Sequence, residues 1–179
     1  ILFDDLDSVP WAEESVLELA GRNIIAKDPG KKFRPNDNIT REEYVKMLVT
    51  ALGVYDASAQ CSFRDVPADA WFAPYVASAV NSGLVKGVSD TEFGAGLDIT
   101  REDIAVLTYR AAQKEGITLA QGDAKTFTDA ETISDYAKEA VDAMAKAGIV
   151  NGYEDGSFGA KKQATRAEVA VMLDRFLKQ

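Results

Sequence analysis

Three arginines, Arg41, Arg101 and Arg166, stand in the tetrapeptides Thr40-Arg41-Glu42-Glu43, Thr100-Arg101-Glu102-Asp103 and Thr165-Arg166-Ala167-Glu168. The chemistry such a residue offers is anion capture, because the guanidinium is a planar fork of donors that fits a carboxylate. The flanking residues place each arginine at the first position of a helix. A threonine followed three residues later by an acid is the capping-box pattern, in which the hydroxyl accepts a backbone N–H and the acid reaches back. Ile39, Ile99 and Ala164 before the caps, with Tyr44, Ile104 and Val169 after them, complete a hydrophobic staple. A helix start carries unpaired N–H groups and partial positive charge, so it attracts anions by itself. A cation there opposes the macrodipole, so helix stability does not account for three arginines.

The elements that must hold these residues come in three copies. Phe3, Asp5, Trp11, Phe33, Thr40 and Arg41 recur in register as Phe63, Asp65, Trp71, Phe93, Thr100 and Arg101. They recur again as Phe127, Asp129, Tyr136, Phe158, Thr165 and Arg166, which divides the chain into repeats at 1–60, 61–124 and 125–179. Each repeat reads as two helices. Val16, Leu19 and Ala20, then Val76, Ala79 and Val80, then Val141, Met144 and Ala145 mark the buried face of the first. Ser8, Asp69 and Ser134 are its candidate N-caps, and Asn23, Gly83 and Gly148 its left-handed C-terminal residues. A Gly/Asp-rich loop leads to the Thr-Arg box and the second helix. Residues 53–62 and 114–126 read as connectors, and the segments around Phe3, Phe63 and Phe127 as at most short extended pieces. The fold class is therefore mainly all-α, three units sharing a core in either an open array or a closed, roughly threefold body.

Composition narrows the function. A net charge of −9 leaves no basic stripe for nucleic acid. No apolar run is long enough for a membrane span. The absence of histidine removes the commonest general base and metal ligand, and the single Cys61 forms no internal disulfide. The acidic loops Asp28 to Asp37 and Asp90 to Asp98 lack the ligand spacing of a calcium loop, and no carboxylate pair stands out for catalysis. No enzyme activity, cofactor or metal is expected. The chain opens at Ile1 without Met or a targeting segment, which reads as a processed form or an excised part of a longer protein.

The repeated pattern resembles the S-layer homology (SLH) domain over essentially the whole chain. Repeat three carries it most fully, in Phe127-Thr128-Asp129, Tyr136, Gly148-Ile149-Val150-Asn151-Gly152, Asp155-Gly156-Ser157-Phe158 and Thr165-Arg166-Ala167-Glu168. Repeat two keeps Phe63-Arg64-Asp65-Val66, Trp71 and Gly83-Leu84-Val85-Lys86-Gly87. The resemblance implies an extracellular module of the bacterial cell surface and S-layer. Its fold would be a pseudo-threefold body around a central three-helix bundle, with ligand grooves between adjacent repeats. Its partner would be secondary cell-wall polysaccharide, typically N-acetylmannosamine bearing a pyruvate ketal, and it would be joined covalently to a larger surface protein or enzyme.

On that reading Arg41, Arg101 and Arg166 grip the ketal carboxylate, and Asp65 and Asp129 count among the ligand-binding residues. The alternative is that each pairs with an acid of a neighbouring repeat, Asp5, Asp65 or Asp129, in a structural or protein-interaction module for self-assembly without a glycan site. Thr100, Thr165 and Glu168 act mainly as caps that position the arginine. Trp11, Trp71 and Tyr136 either stack on a sugar face or are core aromatics at a helix start. Gly87 and Gly152 either admit a ligand against the backbone or serve a turn. The grooves are not expected to be equivalent. Repeat one has Lys27 where the others have Gly87 and Gly152, which ranks Arg166 and Arg101 above Arg41.

Overall fold

The computed structural model describes residues 2–27 and 30–179; Ile1, where the chain opens, and Asp28, at the head of the first acidic loop, lie outside them. Among the described residues there are six α-helices and no β-strand: α1 (Glu13–Gly21), α2 (Arg41–Leu52), α3 (Ala73–Asn81), α4 (Arg101–Glu115), α5 (Lys138–Lys146) and α6 (Arg166–Leu177). Two helices per repeat is the expected count. Asn23, Gly83 and Gly148 do take positive φ, and Ile24, Leu84 and Ile149 fold back to donate to the carbonyls of Leu19, Ala79 and Met144.

The starts of α1, α3 and α5 depart from expectation. Their N-caps are Ala12, Phe72 and Ala137, without a side-chain cap. Short 3-10 turns, Pro10–Ala12 and Asp135–Ala137, precede α1 and α5, and the tighter turn satisfies N–H groups that Ser8 or Ser134 would otherwise have capped. Phe3, Phe63 and Phe127 form no strand. Each instead packs a ring against Phe33, Phe93 or Phe158 of its own repeat.

The two helices of a repeat are not packing partners. Helix α3 packs on α2 of the preceding repeat, α5 on α4, and α1 on α6, so the first element of the chain completes the last. The body is closed rather than an open array. At its centre α6 touches both α2 and α4, and the buried Tyr44 hydroxyl of α2 meets Thr108 Oγ1 of α4 at 2.5 Å.

A ring of backbone hydrogen bonds closes the same axis at the helix starts. Ile39 N–H donates to Ala164 O, Ala164 N–H to Ile99 O, and Ile99 N–H to Ile39 O, at 3.1, 3.0 and 2.9 Å. All three staple residues are buried, as are Tyr44, Ile104 and Val169.

Closure predicts non-local coupling. Leu19→Ala in α1 removes a fully buried side chain and should cost about 2–5 kcal/mol. Amide hydrogen exchange should then show α6, distant in sequence but packed on α1, losing more protection than α2.

Candidate functional site

The caps on α2, α4 and α6 form as the sequence suggests on one side. Thr40, Thr100 and Thr165 hydroxyls accept from the N–H groups of Glu43, Asp103 and Glu168 at 3.3, 3.3 and 3.2 Å. The reciprocal bond of a full capping box forms only in repeat three, from Thr165 N–H to Glu168 Oε1 at 3.1 Å. The Asp103 side chain is a methylene shorter, and Glu43 is drawn elsewhere.

Most N–H groups at the helix starts are already taken. Arg41, Arg101 and Arg166 donate their backbone N–H groups to the carbonyls of Leu97, Lys162 and Asp37, each in the next repeat around the ring. Glu102 and Ala167 donate theirs to Ala160 and Pro35. Among the described residues Glu42 N–H, at the same place on α2, makes no such bond.

The arginine side chains follow the same path. Nε–H of Arg41, Arg101 and Arg166 donates to the carbonyls of Phe93, Phe158 and Phe33, at 3.1, 2.8 and 2.9 Å. Each guanidinium lies over the ring of that phenylalanine, at 5.0, 5.2 and 4.9 Å from its centroid. An arginine at the first helical position is thus a staple between repeats. Because every arginine reaches forward one repeat, Arg41 meets Gly87 of repeat two and Arg101 meets Gly152 of repeat three. Arg166 borders Ile24 to Ala26 of repeat one, the segment leading to Lys27. This reverses the expected placement of Lys27, which belongs beside Arg166 rather than Arg41.

Three grooves result, and each draws on all three repeats. The first, about 350 Å³, has Arg41 from repeat one, Lys86, Gly87, Asp103 and Arg110 from repeat two, and Tyr136 from repeat three. The second, about 500 Å³, has Arg101 from repeat two, Gly152, Tyr153, Thr165 and Glu168 from repeat three, and Trp11 from repeat one. The third, about 160 Å³, has Arg166 from repeat three, Glu43 from repeat one and Trp71 from repeat two. Trp11, Trp71 and Tyr136 are 57%, 55% and 64% exposed, so none is a core aromatic.

The arginines differ in what neutralises them. Arg101 forms an ion pair with Glu168 and stacks on Tyr153, whose hydroxyl donates to the same carboxylate. Arg166 pairs with Glu43 at 3.0 Å. Their partners are the capping acids of the next repeat, not Asp5, Asp65 or Asp129. Arg41 forms no ion pair among the described residues, although it is 7% exposed. Its positional partner, Asp103, lacks the extra methylene and accepts instead from the Tyr136 hydroxyl at 2.7 Å. Burial pulls the Arg41 pKa below its ordinary value, with Asp103 opposing the shift and Arg110 adding to it. The same groove lifts the Tyr136 hydroxyl pKa, first through burial and then through its bond to Asp103.

Asp65 and Asp129 line none of these grooves. Asp65 accepts the N–H groups of Phe93, Gly94 and Ala95 at 2.7–2.8 Å, and Asp129 those of Phe158 and Gly159 at 2.8 and 2.9 Å. Asp5 does the same for Phe33 and Arg34. These aspartates set the loop whose phenylalanine carbonyl receives an arginine. Gly87 and Gly152 line their grooves, but their own loops dictate them. A Cβ at Gly87 would fall 2.4 Å from Glu92 O and 2.6 Å from the Phe63 ring, and at Gly152 2.7 Å from Ser157 O. Thr100 serves as a cap.

Sequence reasoning passed over Glu42 and Glu102, which are buried. Glu42 accepts Gly96 N–H at 2.7 Å, and Glu102 accepts from Ser134 N–H and Oγ and from Lys161 at 2.9, 2.8 and 2.6 Å. An acid one place after the arginine in two repeats, against Ala167 in the third, was the available signal.

Similarity to known proteins agrees with this architecture. The family model described as "S-layer homology domain" matches residues 2–45, 62–105 and 126–170. An amylopullulanase of Thermoanaerobacterium thermosulfurigenes is 34% identical over 91% of the chain, which is 9% of that protein. The surface-layer 125 kDa protein of Lysinibacillus sphaericus is 32% identical over 92% of the chain and 14% of its own length. A cellulosome-anchoring protein of Acetivibrio thermocellus is 29% identical over 84% of the chain and 34% of its own length. The chain thus spans about a third or less of each of these relatives.

The aspartate cradles generate a pH prediction. Burial alone would raise the Asp65 pKa, but the backbone donors outweigh it and hold the carboxyl below the ordinary 3.8. A depressed pKa stabilises the fold at higher pH, and that contribution is lost as pH falls through the folded-state value. Asp65→Asn should destabilise the protein by about 1–3 kcal/mol near neutrality. Denaturation followed between roughly pH 2 and 5 should show a shallower acid loss than the unmodified chain.

Proposed function

Because this chain belongs to the S-layer homology domain family, we propose that it is a non-catalytic anchor that seats a carboxylate of acidic wall polysaccharide at Arg41. Cell-wall attachment at the bacterial surface is the coarse function that its relatives share, as the surface-layer and cellulosome-anchoring proteins are named. The match covers only 9% of the amylopullulanase, so that enzyme's activity is not carried across. The ligand we propose is an N-acetylmannosamine unit bearing a pyruvate ketal. The larger protein that this module would tether is likewise a proposal.

One observation carries the reading: a buried guanidinium without a carboxylate partner. Burying an unpaired charge is costly, and a ligand carboxylate arriving at Arg41 supplies the missing ion without displacing a resident one. Two of its nitrogens are held by the carbonyls of Phe93 and Lys86, at 3.1 and 3.3 Å, which fixes the plane of the fork. Nη1 has no partner among the described residues. The exposed ring of Tyr136 offers a flat face beside it for a sugar. Net charge of −9 repels an acidic polymer at long range, but screening over ~8–10 Å leaves the groove contacts to decide.

Arg101 and Arg166 fit the structural alternative better, because Glu168 and Glu43 already occupy them. In those grooves a ligand carboxylate would have to compete with an internal one. Lys46 also lies over Trp71 at 5.6 Å, so the aromatic face of the smallest groove is already in use.

The experiment is binding to purified wall polymer with and without its pyruvyl groups, for the unmodified chain and for Asp103→Glu. Restoring the glutamate that the other two repeats carry should give Arg41 an internal partner. Affinity for the pyruvylated polymer should fall roughly tenfold to a hundredfold, the ~1.5–3 kcal/mol of a charge-assisted bond. Equal binding with and without pyruvyl groups would remove the carboxylate from the account. Unchanged affinity in Asp103→Glu would remove Arg41 from it.

A further inference from the structure

The Arg41 groove does not end at Arg41. Lys86, Gly87 and Arg110 line both it and a second cleft of about 690 Å³ that runs along α4 to Gln113 and Lys114. Both volumes lie in the ~300–1,000 Å³ range of ligand clefts.

Charge in this continuous trough opposes that of the molecule. The chain has 29 acidic and 20 basic residues, and elsewhere lysines are drawn into pairs, as Lys32 is with Asp4, Lys161 with Glu102 and Lys178 with Asp174. Arg41, Lys86, Arg110 and Lys114 enter no ion pair among the described residues. Two carboxylates line the trough, Asp103, which takes the Tyr136 hydroxyl, and Asp90 at the rim of the second cleft. Arg110 and Lys114 are four residues apart on α4 and so share a helix face. The places in register with them are Thr50 and Val54 in repeat one, and Arg175 and Gln179 in repeat three, where Arg175 donates to Ile149 O and lines the Arg101 groove. A cation at both places occurs in repeat two only. Arg110 also acts on Arg41 as a like charge, which Asp103 opposes.

We propose that the second cleft is a further anion subsite, so that a polymer with one acidic unit at Arg41 passes over Gly87 and sets its next carboxylate-bearing unit among Lys86, Arg110 and Lys114. The inference rests on the reading of Arg41 given above. Its consequence is a ligand class: a run of two acidic units within the polysaccharide, rather than an isolated acidic sugar.

Calorimetric titration of the full chain tests this with two probes, the methyl glycoside of pyruvylated N-acetylmannosamine and a wall-polymer fragment carrying two ketals. The unmodified chain should bind the two-ketal fragment about tenfold tighter, with the steeper salt dependence. Lys114→Gln should weaken the fragment about fivefold and Lys114→Glu about tenfold, while the single sugar is unaffected. Thermal melts of both variants confirm folding. A fragment that binds no tighter than the single sugar, or that ignores both substitutions, overturns the second subsite alone. If neither probe binds the unmodified chain, the Arg41 reading falls and the subsite falls with it.

Discussion

Each arginine at the start of a second helix donates Nε–H to the carbonyl of a phenylalanine one repeat further on, and the rest of the body is arranged to permit it. The donation requires the phenylalanine loop to present its oxygen outward, which Asp5, Asp65 and Asp129 achieve by collecting the loop's N–H groups. It requires the helix starts to lie close together on the axis, which the ring through Ile39, Ile99 and Ala164 enforces. Repeated three times in one direction, it returns to its origin, so that Arg166 closes on Phe33. The charge unfavourable to the macrodipole is thereby explained. Its cost to each helix is offset by a hydrogen bond and a ring contact made between repeats.

The same geometry creates both the grooves and their inequality. Once Nε is used, the outer guanidinium nitrogens face a capping acid of the next repeat. Glutamate at that place reaches them and aspartate does not. Tyr136 then holds Asp103 in place, whereas Trp11 and Trp71 stand at the equivalent positions of the other two grooves. A single methylene, together with a phenol in place of an indole, separates an arginine paired with a capping carboxylate from one without such a partner among the described residues.

Much of the architecture was legible in the sequence because it rests on local rules. Periodicity placed the six helices, and the Thr-x-x-acid pattern placed the starts of α2, α4 and α6. Asn23, Gly83 and Gly148 marked helix ends because a left-handed residue is a local requirement. The partners were not legible. A repeat read along the chain invites pairing of its own two helices, whereas burial is achieved by pairing each with the neighbouring repeat. That displacement by one repeat is why Lys27 was set beside Arg41 instead of Arg166. Asp65 and Asp129 stood as groove residues for a different reason: spacing does not show that they bind backbone within their own repeat. The departure at Asp103 was visible as a blemish in the pattern. Its meaning depended on a side chain's reach across a repeat boundary, which spacing does not encode.

The central claim, that Arg41 is the arginine open to a carboxylate, is tested most directly by the arginine Nε–H resonances of the labelled chain during titration with pyruvylated wall glycan. The account predicts that the Arg41 signal moves and saturates while those of Arg101 and Arg166 stay in place. Movement of Arg101 or Arg166 with Arg41 unperturbed would contradict it.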